Sequence, residues 1–96
     1  LFTPQAFNPG NDLHVRVFAH CYGVAEDPAT GSANGCLAGY LVRHRYFGGP
    51  RIDLRVEQGH EIGRPSLLLL RAGEKAGEFE VFVGGRVILV ARGKLV

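Results

Sequence analysis

The 96-residue chain has no methionine and no tryptophan, only two cysteines, and almost no net charge: eleven basic residues face nine acidic ones. Each shortage excludes something. Two cysteines cannot staple a disulfide scaffold, so a reducing cytoplasm is the expected setting. A near-neutral chain lacks the dense basic face of a phosphate-tracking protein, so no nucleic-acid partner is expected. No apolar run reaches the ~18 residues that cross a bilayer, and no signal peptide is visible, so no membrane partner is expected either. The missing methionine bears on the chain's start. Leu1-Phe2-Thr3 is no natural translation start and reads as the end of an apolar strand, which predicts a longer parent.

What is abundant is glycine, 14 residues, about twice the ~7% average. That favours many turns over a helical bundle, and the length allows one domain. Leu13, Val15 and Val17 alternate with His14, Arg16 and Phe18 in a strand-like period of two. Pro28 keeps Glu26 and Asp27 out of a helix. From Gly31 to about Tyr46 the pattern predicts a helix, capped by Thr30 or Ser32 and closed by Arg43, His44 and Arg45. Its apolar residues cover nearly every face, which predicts burial. Gly35 and Gly39 would let strands approach its backbone. Strands are predicted at Ile52–Val56, Leu67–Leu70, Glu78–Val83 and Arg86–Arg92, the last two joined by a hairpin at Gly84-Gly85. The sum is an α+β domain: about six strands, mostly antiparallel, rolled around one central buried helix.

The stretch Glu26 to Gly35, EDPATGSANG, is the most informative. Two carboxylates stand just before a small-residue turn that opens a helix. The N–H groups of Gly31, Ser32 and Ala33 sit at the positive end of the helix dipole, where a carboxylate or phosphate binds readily. The plainer reading is an ordinary cap satisfied by Asp27 or Thr30. No lysine follows the glycines and G-x-G-x-x-G is absent, so the turn suits a small anion better than a nucleotide. Asp27 can hold or move a proton beside that turn, or simply brace the loop through backbone hydrogen bonds. Glu26 reads as a solvated loop acid, His14 as a strand-surface residue and Cys36 as core packing. His14, His20, His44 and His60 lack metal-ligand spacing, so no metal site is expected.

HVRVFAH, EDPATGSANGCLAGYL, QGHEIGRPS and FEVFVGGRVILVARGKL, in that order, closely resemble the C-terminal half of the phenazine-biosynthesis PhzF-like family. That family resembles diaminopimelate epimerase in fold, with two similar domains and a cleft between them. The resemblance implies that residues 1–96 are the C-terminal domain, with the N-terminal catalytic-glutamate domain absent from this chain. It implies a cofactor-independent isomerase that moves a proton on a small carboxylated substrate, with Asp27 as the catalytic acid of this half and Gly31, Ser32 and Ala33 as the substrate grip. Gln58, Gly59, Arg64 and Ser66 would stand near the cleft or hold the loop. Because the principal acid/base is missing, this half alone would be inactive. The partners it implies are the substrate, the missing N-terminal domain and, as a homodimer, a second copy. The family often has proline where His20 stands. The competing reading is a non-catalytic half-domain that binds anions or a partner.

Overall fold

The computed structural model describes all 96 residues. It contains seven strands and one α-helix: β1 (Phe2–Thr3), β2 (Leu13–Val15), β3 (Val17–Ala19), β4 (Val24–Asp27), α1 (Gly31–Arg43), β5 (Arg51–Gln58), β6 (Ser66–Lys75) and β7 (Glu78–Gly85). Short 3-10 turns at His20–Tyr22 and His60–Ile62 each end on a glycine in the left-handed region. The fold is α+β. A five-stranded sheet runs in the order β1-β2-β5-β6-β7, and β3 pairs with β4 in a separate ribbon. The main sheet is mixed, because β2 runs parallel to β5 while its other pairs are antiparallel. A parallel pair needs a long crossover, and this one is filled by β3, β4 and α1.

Alternation decides which side of each strand is covered. Ile52, Leu54 and Val56 of β5 and Leu68, Leu70 and Ala72 of β6 face the core, joined by Leu13 and Val15 of β2 and by Ala38, Leu41 and Val42 of α1. Burying such a side chain fully contributes about 1.5–3 kcal/mol.

Several sequence expectations need correction. The helix ends at Arg43, and it rests on one face of the sheet instead of being enclosed. Its other side is open, with Tyr40 half-exposed and Cys36 exposed instead of packed in the core. No strand approaches Gly39, and Gly35 meets Val83 only at ordinary contact distance. The hairpin turn lies at Ala76-Gly77, where both residues have positive φ, the requirement of a two-residue turn that follows the strand twist. Gly84 and Gly85 are paired within β7, opposite Leu69 and Leu68. Residues 86–96 consequently form no strand, and Val87, Ile88 and Val90 are exposed. No helix is long and apolar enough to cross a membrane.

Candidate functional site

Loop 27–31 delivers β4 into the start of α1, and one buried side chain holds it in place. Gln58, at the end of β5, is completely buried. Its Nε2 donates to the Asp27 carbonyl at 2.6 Å and to Thr30 Oγ1 at 3.0 Å. Its Oε1 accepts from Asn34 Nδ2 at 2.9 Å and, more weakly, from Thr30 N–H at 3.4 Å. Asn34, also buried, ties back to the Thr30 carbonyl at 2.8 Å. A buried amide needs partners for its donors and acceptor, and the four bonds of Gln58 tie loop, helix and sheet together. Gly59 adds a close approach: its φ is +87°, and a Cβ there would lie 2.8 Å from the Pro28 carbonyl oxygen.

This bracing leaves the helix start free. Thr30 is the N-cap residue, but its side chain makes no capping bond. Its hydroxyl instead donates to Asp27 Oδ2 at 2.5 Å. The first N–H groups of a helix have no partner inside it, and those of Gly31, Ser32 and Ala33 find no acceptor elsewhere in the chain. Asp27 therefore does not satisfy them, as the plainer reading of the cap required. It is half-buried, and its second carboxylate oxygen accepts no bond within the chain.

An open groove of about 830 Å³ lies at this end of the helix, with Ala29, Gly31, Ser66 and Arg86 among its lining residues. Of the four predicted site residues Gly31 lines it, whereas Asp27, Ser32 and Ala33 are not among its lining residues. Arg86 was missed in the sequence because Gly84-Gly85 had the look of a hairpin turn. Arg86 is among the residues that line the groove together with Gly31.

A second polar cluster covers the opposite face of β5, and there the sequence reading of two residues fails. His14 is buried rather than on the strand surface. Glu26 is no solvated loop acid: Arg16 donates to it through both Nε and an Nη at 2.9 Å. The guanidinium draws the Glu26 pKa below the ordinary carboxylate range. Glu57 is buried against its charge, but the side chain of Asn11 and the backbone N–H groups of Phe7 and Asn8 donate to it and pull its pKa down. Glu61 is likewise shifted down: desolvation opposes its charge, and the hydrogen bond with His14, a backbone hydrogen bond and the nearby charges of His14 and Arg16 together outweigh it. His14 and Glu57 alternate along β2 and β5 with core positions, so periodicity alone assigns them to solvent.

Comparisons with known proteins agree with the motif reading. A family model described as phenazine biosynthesis-like protein matches residues 2–93. The chain is 45% identical over 90 residues to the trans-2,3-dihydro-3-hydroxyanthranilate isomerase of Pseudomonas fluorescens, covering 91% of this chain and 31% of that protein. It is 43% identical to the enzyme of the same name from Pseudomonas aeruginosa, over 90% of this chain and 32% of that protein. An uncharacterized isomerase of Clostridium acetobutylicum is 34% identical over 88% of this chain and 29% of its own length. The chain thus spans about a third of the curated relatives it matches.

Proposed function

The chain belongs to the phenazine biosynthesis-like protein family, and from that premise we propose that it is one lobe of an isomerase that moves a proton on a small carboxylated substrate. The observation that carries this reading is the conjunction at the helix start. Three consecutive N–H groups lack an acceptor, and the Asp27 carboxylate has one oxygen free. A substrate carboxylate placed on Gly31, Ser32 and Ala33 would meet aligned donors at the positive helix end. Asp27, braced by Thr30 and Gln58, would orient the substrate or pass a proton at its free oxygen. Arg86 supplies a cation across the same groove. The remaining acid/base and the far wall would come from the rest of a longer parent protein, in a cytoplasmic setting. The exposed apolar segment Val87–Val90 fits packing against that remainder.

The substrate class follows the relatives' printed names: a cyclic amino carboxylate such as 2,3-dihydro-3-hydroxyanthranilate. The direct experiment is turnover of that compound by the longer parent protein carrying Asp27→Asn, with Ser32→Pro, which removes one N–H at the second helical position, as a second variant. Loss of turnover in Asp27→Asn with weaker substrate binding in Ser32→Pro supports the reading. Parent-like values in both overturn it.

A further inference from the structure

On the face of β5 opposite the Gln58 clamp, His14, Glu57 and His60 bring one ligating atom each to within 4.8 Å of one another. We propose that these three residues form a binding site for a divalent transition metal of the zinc type, serving to fasten the 7–14 segment to β5.

The side chain of His14 is more than nine-tenths buried, and its Nδ1 is 3.3 Å from Glu57 Oε1 with no hydrogen bond between them. Its Nε2 lies 2.5 Å from Glu61 Oε1. That contact holds the far side of the ring and leaves Nδ1, which has no hydrogen-bond partner, facing the Glu57 oxygen. A metal ion set between them would take both as ligands. A carboxylate holding the far nitrogen of a ligating histidine is the usual outer support of a metal site. His60 adds a second buried Nδ1 without a partner, and its ring is stacked on Phe7 at 5.0 Å.

Charge points the same way. Glu26, Glu57 and Glu61 form a connected set with one cation, Arg16. Arg55 lies at the rim, where its Nε donates to Asn11 Oδ1 instead of a carboxylate. Before the histidines are counted, the carboxylates outnumber the cation by two, a surplus that a dication would offset. Two imidazole nitrogens and a carboxylate oxygen suit zinc, which takes a fourth ligand from water. A groove of about 250 Å³, lined by Asn8, Asn11, Glu57, His60 and Ser66 among others, gives a route in.

The test is a calorimetric titration of the untagged, chelator-stripped chain with zinc chloride. One zinc per chain is expected, together with a rise in melting temperature. His60→Gln is the deciding variant, since His60 is only partly buried and its loss leaves the core intact. It should lower the affinity at least tenfold, with an unchanged circular dichroism spectrum. Glu61→Gln, which removes outer support only, should lower it about 10–100-fold. The double variant Cys21→Ser/Cys36→Ser should bind as the parent does. Absence of one-to-one binding up to about 1 mM zinc overturns the proposal, as does binding that survives His60→Gln or disappears in the cysteine variant.

Discussion

Replacing Gln58 with leucine tests whether one buried amide holds the loop that carries Asp27. Leucine fills nearly the same space, so the cavity cost is small and the loss is mainly of hydrogen bonds. Gln58 makes four. Two of its partners keep a second bond: Asn34 Nδ2 still reaches the Thr30 carbonyl, and the Thr30 hydroxyl still reaches Asp27. The Asp27 carbonyl loses its 2.6 Å donor, and the Asn34 side chain, whose Oδ1 already lacks a partner, loses half of what remains. At about 1–3 kcal/mol for each of these two buried polar groups left short, the loss comes to about 2–6 kcal/mol. That is a large part of the ~5–15 kcal/mol that a domain has in total. Urea denaturation measures it, and the amide resonances of Thr30 to Asn34 should move in the same variant. A loss below about 1 kcal/mol with those resonances unmoved would refute the clamp.

Gly39→Ala should stabilise the chain by about 1 kcal/mol in the same denaturation assay, because the helix gains propensity and the new methyl meets open space. A destabilised Gly39→Ala would show that the helix face is covered. Gly59→Ala should cost about 3 kcal/mol or more: the position has φ +87°, and the Cβ would fall 2.2 Å from the Arg64 carbonyl oxygen. Near-parent stability there would contradict the described approach of loop to strand. Acid should also destabilise the fold. The carboxyls of Glu26, Glu57 and Glu61 all have folded pKa values below the ordinary 4.5. Their contribution is therefore present above pH 4.5 and is lost as pH falls through the folded values. Urea midpoints at pH 7 and 5 should be nearly equal and the midpoint at pH 3.5 lower, and Glu57→Gln should flatten the fall. A midpoint that rises on acidification would reverse the sign.

Strand positions with clean alternation, such as Ile52-Leu54-Val56, were legible because one face of β5 meets the core. The helix start was legible too, since Pro28 and the Gly31-Ser32 turn act over a few residues. What escaped depended on distant partners. His14 and Glu57 have the alternation of exposed residues, yet the turn at Phe7–Asn11 folds over them and supplies donors from some 50 residues away. Glu26 escaped for the same reason, its partner Arg16 standing on the other arm of a ribbon. The apolar faces of α1 predicted enclosure, but only one sheet face lies against it. Gly84-Gly85 shows how a turn-forming dipeptide yields to strand pairing once a better turn, Ala76-Gly77, lies eight residues earlier.

The central claim is that the start of α1 grips a substrate carboxylate through Gly31, Ser32 and Ala33. Amide resonances of the ¹⁵N-labelled chain, titrated with 3-hydroxyanthranilate and separately with its uncharged carboxamide, address it directly. Progressive shifts are expected at those three N–H groups with the carboxylate, and little change with the carboxamide. Equal shifts with both compounds, or shifts confined to residues away from the helix start, would contradict it.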